Sequence, residues 1–212
     1  FRGREALHAV GAAAGPWNWV LLRPEPESLP LVAGGAGSLE EMRGALAAHR
    51  GEVLAGVLRM TFGEGRLRRT KHVLVLAVGA NAPAVARGKL AMARAKVERA
   101  LSEFLHISCV LEVAGAEDLT LEAVIDKVRK AAHIDDAVLD PDNPGRQMWT
   151  ADAFRQALVE ERRRAARPTR LARLTALPVR EALDLMHADQ SLNWALVGLR
   201  EASLPTSQAS QT

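Results

Sequence analysis

The chain is poor in the residues that staple, anchor or stack a protein. It has one cysteine, Cys109, and no tyrosine. A lone thiol forms no intramolecular disulfide, which fits a reducing compartment, with the nucleocytoplasm as the default. No apolar run reaches the roughly 18–20 residues that a membrane-spanning helix needs. Neither sign of charge dominates: 28 Lys and Arg against 25 Asp and Glu leave a formal +3. So weak a surplus makes no case for nucleic acid, which requires a concentrated basic patch.

The signatures of catalysis and of bound metal are also missing. Gly34-Gly-Ala-Gly37 lacks the Lys-Ser or Lys-Thr of a phosphate loop. The histidines at 8, 49, 72, 106, 133 and 187 show no metal-ligand spacing. Asp135-Asp136 and the pair Asp140 and Asp142 do not have the spacing of a calcium loop. Cys109 sits in an apolar strand, where an inert buried thiol is expected. No nucleophile and base come together, so neither an enzyme nor a cofactor is expected.

What is present is a globular pattern. Hydrophobic residues make up 48% of the chain, which does not fit disorder along its length. A short helix is expected over Arg4 to Val10. Strands follow at Trp17 to Arg23 and Leu29 to Ala33, joined by a proline-containing turn. Ser38-Leu-Glu-Glu41 reads as a capping box that opens a helix to about His49. Val53 to Phe62 and His72 to Val78 are strands without polar alternation, which predicts central strands covered on both faces. Gly63-Glu-Gly65 turns between them. Pro83 starts a long helix to Leu105, with Leu90, Ala93, Val97, Leu101 and Phe104 on one face. A strand from His106 to Val113 and a helix from Leu121 to Ala132, capped by Asp118 or Thr120, complete the first region. The order predicts an α/β (α+β) fold, a mixed central sheet of about five strands sandwiched by helices.

Beyond Ile134 the character changes. The expected division is a domain over 1–137, an acidic, proline-bearing linker over 138–150, a helical C-terminal extension over 151–204 and a disordered polar tail over 205–212. Thr150 caps the first helix of the extension, which carries Arg162-Arg-Arg164. A solvated helix face is the first explanation of those arginines. The first residue is Phe1 rather than Met, which leaves room for an upstream start or targeting segment.

Leu54-Ala-Gly-Val-Leu-Arg-Met-Thr-Phe-Gly-Glu-Gly-Arg-Leu-Arg-Arg-Thr-Lys71, followed by His72-Val-Leu-Val-Leu-Ala-Val-Gly79, resembles the central hairpin of the actin-depolymerising-factor homology (ADF-H) family, in its coactosin and drebrin branches. The shared features are the branched strand carrying Arg59, the glycine turn, the basic Arg68-Arg-Thr-Lys71 and the strand ending in Gly79. Asn81 to Phe104 is similar to the family's long actin-facing helix, with Arg87-Gly-Lys89 where coactosin-like proteins carry a basic pair. His72 and Ala77 stand where the family has aromatic residues. The resemblance covers roughly Trp17 to Ala137 and implies an ADF-H/gelsolin-like fold and an actin-binding, non-catalytic function in the cytoplasm and cytoskeleton, on filaments rather than monomers.

Opposite the buried face of the long helix, Lys89, Met92, Lys96 and Arg99 follow one another at steps of three, four and three. Such a stripe is by itself most often a solvated helix face. The resemblance makes it an actin-binding surface, in which Met92 supplies desolvated contact and the cations steer and orient. Arg87, Arg68, Arg69 and Lys71 join the implied set. In the extension, Phe154, Leu158 and Trp194 need a surface to cover them, in the first domain or in another chain. An ADF-H-like structural subunit of a large assembly, docking through its C-terminal helices, is therefore the alternative to an actin binder. Its compartment would be a cilium or an organelle.

Overall fold

The computed structural model describes residues 2–13, 15–25, 28–63, 65–132 and 148–166. The chain divides into two units, Phe1–Ala165 and Ala166–Thr212. The first unit holds all the described elements, up to the final residue of the last helix. They are α1 (Arg2–Gly11), β1 (Trp19–Leu22), β2 (Leu31–Gly35), α2 (Ser38–Ala48), β3 (Val53–Phe62), β4 (Arg69–Val78), α3 (Ala84–Ser102), β5 (Ile107–Val113), α4 (Leu121–Ala131) and α5 (Ala151–Ala166). A single 3-10 turn, Gly65–Leu67, joins β3 to β4. The strands form one sheet in the order β2-β1-β3-β4-β5. All pairings are antiparallel except β4–β5, which is parallel, with α3 as the crossover. The expected mixed five-stranded sheet, with its helices, is the fold.

The ladder between β3 and β4 is the spine, running without a break from Val53↔Val78 to Phe62↔Arg69. All ten residues of β3 are buried, as its lack of alternation requires. Alternate side chains serve two separate cores. Leu54, Leu58, Met60 and Phe62 join Leu39 and Met42 of α2 and Val124, Ile125 and Val128 of α4. Val53, Ala55 and Val57 join Leu7 and Val10 of α1 and Leu90, Val97 and Leu101 of α3. Close approach sets two glycines. A Cβ on Gly56 would lie 2.2 Å from Met42 Cε, and one on Gly79 would lie 2.2 Å from the Arg50 carbonyl oxygen.

Helix starts follow local chemistry. Thr120 Oγ1 accepts from Ala123 N at 3.2 Å, and Thr150 Oγ1 accepts from Ala153 N at 3.2 Å, as N-caps do. The capping box expected at Ser38–Glu41 forms differently. Gly37 is the N-cap, and Glu41 Oε2 accepts from its amide at 2.6 Å. The same carboxylate oxygen accepts from the indole Nε1 of Trp19 at 2.7 Å. Ser38 is already helical, with φ 65°, and its amide donates to Asn18 Oδ1 at 2.8 Å. The buried Asn18 takes the amide that the sequence pattern assigned to a capping interaction, and the Ser38 hydroxyl is left buried without a partner.

The C-terminal segment alters the expected domain division. Met148 and Trp149, placed by sequence in a linker, are buried in the core that α2 and α4 share. Phe154 of α5 packs on Phe62 with ring centroids 5.9 Å apart, and Trp149 meets the same ring edge-on at 5.1 Å. Leu158 packs against this cluster as well. Of the two surfaces left open for Phe154 and Leu158, they use the chain's own sheet, so their expected partner-docking role is replaced by internal packing. Trp194, the rest of the expected extension and the tail lie outside the described residues.

Candidate protein-docking site

α3 begins at Pro83, whose φ of −59° suits the entry to a helix and whose carbonyl accepts from Ala86 N at 2.9 Å. Its inner side is Leu90, Val97 and Leu101, all buried, with Ala93 half-buried between them. The opposite side carries Lys89, Met92, Lys96 and Arg99, all exposed. Met92 is 88% exposed, the most open large hydrophobic among the described residues. The sheet and α1 hold the inner face, so the stripe is presented on a fixed rod.

Arg94 lies beside the stripe and is engaged. Its Nε donates to Glu98 Oε1 at 2.8 Å and its Nη1 reaches Glu112 of β5. The two carboxylates, Glu98 first, hold the guanidinium above its ordinary pKa. Arg87 turns back on the preceding loop, donating from Nε to the Ala82 carbonyl at 3.1 Å and from Nη2 to that of Ala80 at 3.4 Å. It fastens the start of α3. Between α3, α1 and the approach to β2 lies a cleft of about 620 Å³. Leu7, Leu29, Val97 and Phe104 give it apolar walls, with Arg4 and Lys96 among its charged residues.

The hairpin cations are on other elements. Gly63 (φ 72°) and Gly65 (φ 55°) make the left-handed turn that brings the strands together. Arg68 Nη2 donates to the Ala13 carbonyl at 3.4 Å, and Arg69 Nη1 to those of Arg66 and Arg68, each at 3.1 Å. Lys71 Nζ lies 5.3 Å from the centroid of the Trp149 ring, within cation–π range. The residues expected to act together thus stand as two sets, one along α3 and one between the α1–β1 loop and the C-terminal segment.

Sequence reasoning missed Arg59. Its side chain is almost fully buried on β3, and it donates to the carbonyls of Val10, Ala12 and Gly15 and forms an ion pair with Glu161 of α5. One signal was available: a charged residue inside an otherwise apolar strand needs a buried partner. Cys109 is half-buried on β5, and burial pushes its thiol pKa up. Among the described residues no group of three or more His, Cys, Asp or Glu is placed to hold a metal ion. No described helix is long and apolar enough to cross a membrane.

Known proteins share this architecture. A crystal structure of human coactosin-like protein superposes with a TM-score of 0.51 at 16% identity, over 60% of this chain and 92% of that one. Coactosin from Entamoeba histolytica gives a TM-score of 0.49 at 19% identity, over 61% and 92%. The first of these shows the fold alone at such identity. No curated protein sequence matches the chain. The family model described as cofilin/tropomyosin-type actin-binding protein matches residues 4–129, from α1 through nearly all of α4. That match spans more than half of the sequence, and the chain belongs to the cofilin/tropomyosin-type actin-binding protein family.

Proposed function

We propose that this protein binds actin through α3, without catalysis, as a coactosin-like component of the cytoskeleton, with the filament as its target. One observation carries the reading: Met92 stands 88% exposed on a helix whose inner face is fully used, with Lys89, Lys96 and Arg99 on the same outward stripe. An exposed apolar side chain among cations suits an acidic surface with a hydrophobic cleft. Burying Met92 there stabilises the complex, while the cations raise the encounter rate and set the orientation. The hairpin set, Arg68, Arg69 and Lys71, is the secondary part of this interface, and Arg87 supports it by fixing the start of α3.

The test is co-sedimentation with filamentous actin. Lys89→Ala and Lys96→Ala should each weaken binding by about 1–3 kcal/mol, about five- to a hundredfold in affinity. Unchanged binding in the double variant would show that α3 is not the docking element. The competing reading, a structural subunit held in an assembly by its C-terminal helices, drew on apolar residues in need of a surface. Phe154 and Leu158 find that surface on the chain's own sheet.

A further inference from the structure

Three large hydrophobic side chains are exposed among the described residues: Val85 and Met92 on α3, and Val159 on α5. Val159 is 46% exposed, and one helical turn to either side of it lie Arg155, Arg162 and Arg163, all exposed. The acids of α5 do not neutralise this face. Glu161 points to the buried Arg59, and Glu160 is held by Arg164 at 3.1 Å. Asp152 pairs with Arg155 at 3.0 Å. Arg162 makes only a long contact, 3.5 Å, to the Gly37 carbonyl. The outward face of α5 therefore carries net positive charge around an open apolar centre.

This face is also firmly mounted. Phe154 and Ala157 are buried, Phe154 in the core shared with α2 and α4, whereas α3 belongs to the core on the other side of the sheet. A rigid helix loses little freedom on binding. α5 follows the residues matched by the family model, so this surface is an addition to the shared domain.

We infer that Arg155, Val159, Arg162 and Arg163 form a second docking surface for an acidic protein, and that with α3 it allows one chain to join two actin filaments. The inference rests on the actin reading above. The valine favours a protein partner over a polyanion, since a protein cleft desolvates an apolar side chain and a phosphate backbone does not use it.

The experiment compares high-speed sedimentation of filamentous actin, which reads binding, with low-speed sedimentation, which reads bundling. Arg155→Glu/Arg163→Glu and Lys89→Glu/Lys96→Glu are run beside the unmodified protein, and unchanged melting temperatures confirm that both variants fold. The α5 variant should bind single filaments within about twofold of the parent and lose bundling, because only one of two independent sites is removed. The α3 variant should lose bundling and at least about tenfold in affinity, with the residue of binding abolished when the two variants are combined. Bundling by the α5 variant at the parent level would overturn the inference and leave the α3 function standing. Loss of all binding in the α5 variant, with none in the α3 variant, would remove α3 from the function and leave α5 as the binding site. Failure of the parent protein to bind filaments would overturn both. An effect of the α5 variant seen only on phosphatidylserine vesicles would assign the face to a lipid surface and overturn the protein partner.

Discussion

Arg59 on β3 and Glu161 on α5, 102 residues apart in sequence, form an ion pair whose guanidinium side is almost wholly excluded from water. The same guanidinium gathers the carbonyls of Val10, Ala12 and Gly15. One side chain thereby ties the end of α1, the centre of the sheet and the C-terminal helix. Burying an arginine is costly unless its charge is met, so Glu161 carries more weight than an exposed partner would.

Glu161→Ala should destabilise the fold by about 3 kcal/mol, near the low end of the range for breaking a buried pair, because the glutamate is still partly reached by solvent. Urea unfolding measures it. A loss below about 0.5 kcal/mol, the level of an ordinary surface change, would mean that water satisfies Arg59 in its place.

His72 faces Arg59 across the β3–β4 ladder, and its Nε2 is buried without a partner. Burial first, and then the nearby charges of Arg59 and His106, lower its pKa below the ordinary 6.5. The unfolded chain therefore binds a proton in a pH range where the folded chain does not. Its contribution to stability is complete above the unfolded value and declines as pH falls from there toward the folded one. A plot of unfolding free energy against pH should rise through the interval just below 6.5, and His72→Gln should flatten that rise. An unchanged slope in the variant would assign it to other groups.

Met92→Asp should abolish most filament binding and leave the melting temperature unchanged, because the side chain touches little of its own protein. Placing a carboxylate there removes the apolar contact and repels an acidic partner. Co-sedimentation and a thermal melt on the same sample separate the two effects. Wild-type binding in this variant would exclude Met92 from the interface.

Ser38→Gly should stabilise the protein by about 0.5–1 kcal/mol. The native φ of 65° is strained for serine and free for glycine, and the lost hydroxyl has no partner to lose. Denaturant titration decides it, and a destabilised variant would show that the hydroxyl makes a contact with water worth more than the strain.

Much of this fold could be read from local pattern. β3 and β4 declared themselves as uninterrupted apolar runs on either side of a glycine turn. Thr120 and Thr150 capped the helices they were expected to cap, and the inner face of α3 followed its spacing. Features set by distant partners could not be read in this way. The role of Glu41 depends on Trp19, which lies 22 residues earlier. The destination of Phe154 depends on Phe62, and sequence showed only that it needed cover. For the candidate site, the spacing revealed which residues share a face of α3. It did not show that Arg87 would spend its guanidinium on the Ala80 and Ala82 carbonyls, or that Lys71 would stack on Trp149.

The β3–β4 ladder extends past the reach of its neighbour, for β1 pairs with β3 only from Ala55 to Leu58. From Arg59 to Phe62 the outer side of β3 has no strand beside it, and the cover comes from the Arg59 hydrogen bonds and the residues around Trp149 and Phe154. An uncovered stretch of that kind is a template on which a second molecule can add a strand. The C-terminal segment is thus a guard against self-association as well as a platform. Cutting the chain after Asp142 would leave a sheet that recruits copies of itself, so a fragment chosen to isolate the family domain would be the form least able to stay in solution.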